Sequence, residues 1–418
     1  MRQSTLFVKT SKNLPKDEIS ESARLLLRAG FADKLMAGVY TLLPLGFKVF
    51  KKIEQIIREE MESIGGQEIF MPALQPKENW EKTGRWQSLD ILFRLSAGES
   101  REIALGPTHE EIVTPLAGRF IKSYRDLPFA VFHIQNKFRN EKRAKSGLLR
   151  GREFVMKDLY SFHADQADLD GYYEKAKLSY RRIFSRCGLG DCTYLTYASG
   201  GSFSKYSHEF QTVSPAGEDL IYLCPKCSVA VNKEIIADVK HSCPQCGQKD
   251  LIEEKAIEVG NIFQLGSKFS TAFGLKFSNE QGENRPVLMG CYGIGLQRLL
   301  ATVIETHHDQ KGMIWPAAIA PAAVHLLALN LENEDAKKSA EKLYRDLRTA
   351  RIEVLFDDRI GLSAGEKFAE ADLFGLPCRV VASARTLAAG KLEVKKRSDN
   401  KTDFLAPADL IAFLRGQN

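Results

Sequence analysis

The chain has 418 residues, of which 44% are hydrophobic and 27% charged, a balance that excludes a disordered polypeptide and leaves room for more than one core. A formal net charge of +6 permits an anionic partner without demanding one. The longest uncharged stretch, residues 312–331, is 20 residues long, but Pro316 and Pro321 lie inside it, which counts against a membrane-spanning helix.

The N-terminal run MRQSTLFVKTSKNLPKDE has no apolar signal core and carries acids early, so a cytoplasmic location is expected. Residues 17–30 predict a helix, with acids in the first turn, leucines along one face and Gly30 as its stop. Residues 45–64 predict a longer one, because Phe47, Phe50, Ile53, Ile57, Met61 and Ile64 recur at steps of three and four. After Gly65 and Gly66 a short strand interrupted at Pro72 is expected, then strands in FAVFHIQNKFRNE and REFVMKDLYSFH. Residues 165–187 predict a helix, and NRPVLMGCYGIGLQRLLATVIETH a strand, a glycine turn and a helix. Beyond Pro316, strands alternate with helices to the end of the chain, the pattern of a separate α/β domain of about a hundred residues. There are no internal repeats and no low-complexity segments.

Three features carry chemistry. From Lys137 to Arg152 there are seven basic side chains and one acid, Glu141. Arg139 and Glu141 are two apart, so on a strand they share a face. Arg150 and Phe154 place a cation and an aromatic on the returning strand. Arginine forks grip anions and an aromatic ring can stack on a base, so this hairpin suits a nucleotide; a merely basic surface hairpin is the competing reading. Next, GCYGIGLQR holds Gly293 and Gly295 just before a helix start, where the backbone can approach an anion. Arg298 falls in that helix's first turn; tight strand–helix packing would also explain the glycines. Last, Cys224-Pro-Lys-Cys227 and Cys243-Pro-Gln-Cys246 stand 15 residues apart, the spacing of a four-thiolate structural zinc site rather than of disulfides. A redox dithiol would need only one pair, and His241 is superfluous as a ligand. Cys187, Cys192 and Cys378 are isolated, as buried thiols would be.

In combination, a helix and strand ending at Pro72, F-R-x-E with R-x-x-x-F, and G-I-G-x-x-R before a helix resemble the three ordered motifs of class II aminoacyl-tRNA synthetases. LGPTHEE at 105–111, RGREFVMKDLYSFH at 150–163, SHEF at 207–210, MGCYGIG at 289–295 and the DDR…GEKFAEADLFGLP stretch at 357–377 narrow the resemblance to the bacterial prolyl-tRNA synthetase family, over nearly the whole chain. The resemblance implies an α+β fold: an antiparallel catalytic sheet flanked by helices at 1–219 and 260–318, a short insert with a four-cysteine zinc ribbon at 220–259, and an anticodon-binding α/β domain at 319–418. It also implies roles. Thr108 and Glu110 would hold the ammonium of L-proline, and Met156, His208, Glu218 and Cys291 would line its pocket. Arg139 would bridge the proline carboxylate and the α-phosphate of ATP. Glu141 would accept from the adenine amine, Phe154 would stack on the ring, and Arg150 and Arg298 would hold the outer phosphates, with Mg2+ accompanying the ATP. Arg143 would reach the acceptor end of tRNA(Pro).

A homodimer with the Pro72 region at its interface is implied as well. Many bacterial relatives carry a large editing domain where this chain has the 40 residues 220–259, below the usual domain floor of about 50. No editing in cis is therefore expected, and a free-standing trans-editing protein becomes a candidate partner. A few residues are inserted ahead of SHEF relative to the family. In the last domain Arg359, Lys367, Lys391, Lys395, Lys396 and Arg397 offer cations for tRNA phosphates, against the plainer reading of a solvated strand edge. Two rivals stand beside this reading: a threonyl- or histidyl-specific member of the same subclass, and a non-catalytic paralogue, in which the ATP-binding arginines should have been lost.

Overall fold

A computed structural model describes residues 1–11, 18–98, 101–144, 146–201, 206–399 and 401–416. Lys145, in the basic run 137–152, and residues 202–205, in the stretch expected to hold the insertion ahead of Ser207, lie outside the described residues. The chain is mixed α and β with largely antiparallel sheets, and it divides into two compact units.

The larger unit comprises residues 36–39 and 54–302. Among the described residues its main sheet has nine strands. Their spatial order is Tyr206–Val213, Thr193–Ser199, Val229–Asn232, Asp219–Leu223, Ile252–Gly266, Leu288–Gly295, Glu153–His163, Phe129–Phe138 and Gly66–Glu68. The long strand Ile252–Gly266 bends this order back on itself, pairing Asp219–Leu223 through its first half and Tyr206–Val213 through its second. The strands within residues 220–259 are thus woven into the main sheet.

The helix Gln166–Arg186 covers one face. It starts at Asp165, whose carboxylate accepts from the Asp168 amide, and it buries Leu169, Tyr173, Ala176, Tyr180, Ile183 and Phe184 at the three- and four-residue spacing of one helical stripe. A side chain at Gly260 would come within 3.0 Å of the Tyr180 ring, which explains a glycine in mid-strand. The strand expected around Pro72 is two shorter ones, Gly66–Glu68 and Leu74–Pro76, in different sheets. The second joins Glu102–Leu105 and Phe93–Ser96 over a small core of Trp80, Trp86, Leu92 and Ala104.

The expected glycine turn in MGCYGIG is corrected. Gly290, Gly293 and Gly295 all lie within the strand Leu288–Gly295, and the helix Leu296–Thr306 follows directly. A Cβ on Gly293 would sit 2.9 Å from the Asn261 Oδ1, so close approach across the ladder, not a turn, requires glycine there.

The smaller unit comprises residues 1–35, 40–53 and 303–418. Its five-stranded sheet runs Val354–Asp357, Val324–Ala328, Cys378–Ala382, Leu392–Lys396 and Thr402–Leu405, parallel across the first three and antiparallel after. The helix Ala364–Phe374 opens on a capping box between Ser363 and Glu366, which satisfies orphan amides at its start. Contacts assign the N-terminal segment to this unit, although the sequence boundary grouped it with the catalytic part. The reason is long-range: the Gln3 amide donates to the Phe356 carbonyl at 2.7 Å, the Met1 ammonium to the Val354 carbonyl at 2.8 Å, and Arg2 pairs with Glu341 and Asp358.

Three cations expected to face phosphates are internal struts. Arg359 is bidentate on Asp357 and also holds Glu370. Lys367 is buried on the carbonyls of Ala328 and Arg359. Arg397 is bidentate on Asp309. Lys391 is exposed, and Lys395 and Lys396 are half-buried on the strand beyond it.

Candidate active site

Strand alternation brings Phe154, Met156 and Asp158 to one face of Glu153–His163, and Cys291, Gly293 and Gly295 to the same face of the neighbouring strand. Two pockets open on this face. The first, of about 590 Å³, is lined by Arg139, Glu141, Leu148, Leu149, Arg150, Phe154, Met156, Glu258, Asn261, Gly293, Gly295 and Arg298 among others. The second, of about 600 Å³, is lined by Arg85, Thr108, Glu110, Arg139, Met156, Asp158, Asn261, Phe263, Cys291 and Gly293 among others. Arg139, Met156, Asn261 and Gly293 line both, so the pockets meet at the Arg139 side chain.

Arg139 is under-bonded. Its Nε is buried without a hydrogen-bond partner, and its one described bond is a long 3.4 Å contact from Nη2 to the Pro107 carbonyl. Burial, then the nearby Arg298, lowers its proton affinity. An incoming anion would relieve both costs. Its guanidinium lies over the Phe154 ring, 5.3 Å from the centroid, a cation–π distance.

The expectation that Arg139 and Glu141 project from a strand is corrected: the strand ends at Phe138. The Arg139 amide still bonds the Arg152 carbonyl at 2.8 Å, and the Glu141 amide then turns back to the Arg139 carbonyl at 2.7 Å, a three-residue turn. Arg150 likewise precedes its strand, following the short helical turn Gly147–Leu149. Its Nε reaches Glu141 at 3.2 Å and its Nη1 reaches Glu218 at 2.7 Å. Arg298 donates to the Leu149 carbonyl and to Glu258. Arg143 is exposed at the hairpin tip.

The second pocket is floored by acids. Glu110 and Glu111 open the helix Glu110–Ala117, where carboxylates suit the dipole, and both are buried. Thr108 Oγ1 donates to Glu110 at 2.5 Å, and the Cys291 thiol donates to its other oxygen at 3.3 Å. Arg85 reaches Glu110 at 3.5 Å and Glu111 at 3.0 Å. Burial pushes Glu111 up to about 7 against the pull of Arg85. Burial and Glu110 push the Cys291 thiol well up, which makes it a neutral donor in the wall and not a nucleophile.

Two expected pocket residues stand elsewhere. His208 pairs across the ladder with Ile262 while Glu209 pairs with Asn261, so alternation puts Glu209 on the pocket face and His208 on the other, 3.0 Å from the Tyr173 hydroxyl. Glu218 is 57% exposed beside Arg150 and lines neither pocket. Two features escaped the sequence reading. Arg85 sits in GRWQS with no pattern to mark it, and a buried group of His109, His133, Lys137, Asp158 and Tyr160 lies beneath the acid floor.

The four cysteines converge. Sγ atoms of Cys224 and Cys246 are 3.5 Å apart, those of Cys227 and Cys243 3.4 Å, and all four lie within 4.8 Å of one another. A tetrahedral zinc with bonds of about 2.3 Å sets sulfurs about 3.8 Å apart, and a disulfide needs about 2.05 Å. The arrangement fits the metal.

The family description for the class II tRNA synthetase core domain (G, H, P, S and T) matches residues 93–307, and that for the anticodon binding domain matches residues 317–417. A proline–tRNA ligase of Dehalococcoides mccartyi is 35% identical over 559 aligned positions covering 98% of each chain. That of Bacillus subtilis is 33% identical over 567 positions covering all of both. In fold, the chain is similar to Giardia lamblia prolyl-tRNA synthetase in complex with prolyl-adenylate, with a TM-score of 0.76, 20% identity, and 93% of this chain and 74% of that one covered. It is also similar to the Cryptosporidium parvum enzyme complexed with halofuginone and AMPPNP, with a TM-score of 0.78, 18% identity, and 95% and 76% covered. The chain belongs to the class II aminoacyl-tRNA synthetases and, within them, to the proline–tRNA ligases.

Proposed function

We propose that the two adjoining pockets perform proline activation, the first taking ATP and the second L-proline, with Arg139 between the reacting groups. The observation that carries this reading is the under-bonded Arg139 guanidinium, its Nε buried without a partner, on the wall the pockets share. The proline ammonium would sit on Glu110 and Thr108, with Met156 and Cys291 as walls. Its carboxylate would attack the α-phosphate in line and pyrophosphate would leave. The terminal ribose hydroxyl of tRNA(Pro) would then attack the adenylate carbonyl, releasing AMP. No general base is required; the work is positioning and neutralising developing charge. Arg139 meets the carboxylate and α-phosphate, Arg150 and Arg298 the outer phosphates, Glu141 the adenine amine and Phe154 its ring, while Gly293 and Gly295 keep the floor open. Glu258, on the ATP pocket wall, is an oxygen donor of the type magnesium prefers; when bound with ATP the ion neutralises phosphate charge. Zinc on Cys224, Cys227, Cys243 and Cys246 would be structural.

The hairpin tip with Arg143 would meet the acceptor end, and the C-terminal unit the anticodon. A homodimer in the cytoplasm is proposed. Its support is an apolar groove lined by Ile69, Val113, Leu116, Phe120, Phe129 and Phe162, with Phe120 and the neighbouring Phe70 largely exposed. Light scattering should give twice the chain mass. The activity test is pyrophosphate exchange with the full set of amino acids. Proline-dependent exchange is expected, and Arg139→Ala should abolish it while tRNA binding survives; retained exchange in that variant would sink the phosphate assignment.

A further inference from the structure

Beneath the acid floor lies a buried group that the proposed chemistry does not use. His109, His133 and Asp158 offer Nδ1, Nε2 and a carboxylate oxygen within 4.8 Å of one another, a donor set suited to a divalent metal. The centre of that set holds Lys137. Its Nζ is 2.8 Å from His109 Nδ1, 2.8 Å from His133 Nε2 and 2.7 Å from Asp158 Oδ2. Those are hydrogen-bond lengths, where metal bonds would be about 2.0–2.2 Å. An ammonium has three hydrogens, and here it meets three acceptors. Lys137 and both histidines are fully buried.

The His109 tautomer agrees; at His133, Nε2 accepts from Lys137 when the hydrogen is on Nδ1, which is buried without a hydrogen-bond partner. His109 Nε2 is 3.1 Å from the Pro72 carbonyl, which can only accept, so Nε2 carries the hydrogen and Nδ1 is free to accept from Lys137. Burial, then Lys137, lowers His109 to about 2, and burial lowers His133, so both rings are neutral. Burial also lowers Lys137, opposed by Asp158 and, more weakly, by Glu110, with Arg139 adding to the lowering. Lys137 and His133 share a face of Phe129–Phe138, and Asp158 pairs directly opposite His133.

We propose that the Lys137 ammonium takes the place of a metal ion in the His109–His133–Asp158 cage and is a positioning residue for the Thr108 and Glu110 side chains. The link is His109, which stands between them. Its ring is held by Lys137 and Pro72, and its amide donates to the Tyr160 hydroxyl at 3.0 Å, which in turn donates to Asp158 at 3.1 Å. With ring and amide both fixed, the flanking side chains have one orientation toward the pocket.

The inference rests on the reading of Glu110 as the seat of the substrate ammonium, and one set of exchange assays separates the two. Wild-type protein without proline-dependent exchange would remove that reading. With it present, Lys137→Met, of similar length but uncharged, should raise the proline KM by about tenfold or more, with the ATP KM held within about twofold. Lys137→Ala should behave alike, and added n-propylammonium, which replaces the deleted atoms, should restore much of the proline KM. The pocket that Asp158 lines gives it a way in. A wild-type proline KM in Lys137→Met overturns the proposal, as does a defect spread equally over both substrates. A raised proline KM in a folded Lys137→Ala that n-propylammonium leaves unchanged assigns the effect to packing and overturns it too. Should Lys137→Ala not fold, Lys137→Met decides.

Discussion

Carboxylates in the larger unit are stabilised in different ways. Buried Glu110 and Glu111 share the Arg85 guanidinium; half-buried Glu209 has, among the described residues, two amides, from Gln211 at 3.0 Å and Asn232 at 3.4 Å. Burial, then Glu258, pushes Glu209 up to about 8 from an ordinary 4.5. A carboxyl raised on folding binds its proton more tightly in the native state. Its contribution is complete below the unfolded value and is lost as pH rises through the folded one. Stability should therefore fall between about pH 5 and 8. Glu209→Gln, which carries no charge at any pH, should flatten that fall and raise the apparent melting temperature at pH 8.5 by about 2–4 °C, with little change at pH 5. Parallel melting curves for the two proteins across that range would show that Glu209 does not carry the slope. At this scale the sequence was readable where function repeats a residue type at fixed spacing: Arg139, Arg150, Phe154 and Arg298 do meet in one pocket. Arg85 and Glu209 were not, because nothing local distinguishes an arginine that will face two buried acids, or an acid that alternation will turn inward while His208 turns out.

Among the elements, the cysteine turns show why a short motif can be fully legible. In Cys224-Pro-Lys-Cys227-Ser228 the Ser228 amide returns to the Cys224 carbonyl at 3.0 Å; in Cys243-Pro-Gln-Cys246-Gly247 the Gly247 amide returns to the Cys243 carbonyl at 2.8 Å. Ser228 and Gly247 occupy matching places, both at positive φ, 57° and 75°. The left-handed residue after each pair aims the preceding amides at the sulfurs, and glycine adopts it at least cost. Each turn is thus closed by its own backbone, and the spacing alone announces it. The strands around them were harder to read. Val229–Asn232 pairs in parallel with Thr193–Ser199, and periodicity names a strand's inward face without naming its neighbour. The glycine-rich strand Leu288–Gly295 misled too, since Gly293 faces Asn261 across the ladder and Gly290 lies against the Tyr292 ring of its own strand and the facing Ser161 hydroxyl, rather than in a turn. One bound zinc per chain is expected, released by a thiol-reactive reagent in a chromogenic assay. Cys224→Ser should lose it and lower the apparent melting temperature by several degrees, about what a structural site of a few kcal/mol would give. A native protein that holds no zinc after purification without chelators would refute the assignment.

Across the whole molecule, the alternation of strands and helices beyond Pro316 was legible as an α/β unit, but the joining of the N-terminal arm to that unit was not. The arm's first three residues make a backbone bridge to Phe356, a pairing that leaves no trace in local composition. Length carries the last consequence. The alignment to the Bacillus subtilis relative spans 567 positions across the whole of both chains, while this chain has 418 residues, so the relative holds a long stretch that has no counterpart here. Discrimination by the synthetic pocket alone is limited. Alanine is smaller than proline, and each missing methylene costs only about 1–3 kcal/mol of transition-state binding. Cys291, Met156 and Phe263 can exclude what is too large, but cannot exclude what is smaller. Alanine should therefore support measurable pyrophosphate exchange, weaker than proline, and mischarged alanyl-tRNA(Pro) should persist in the presence of this enzyme for as long as it does in buffer. Hydrolysis of alanyl-tRNA(Pro) by the purified protein at a rate comparable to prolylation would place an editing activity within this chain. Persistence would show that this chain does not edit, and a protein that clears the mischarged tRNA when added to the synthetase would then be identified as a trans-editing partner.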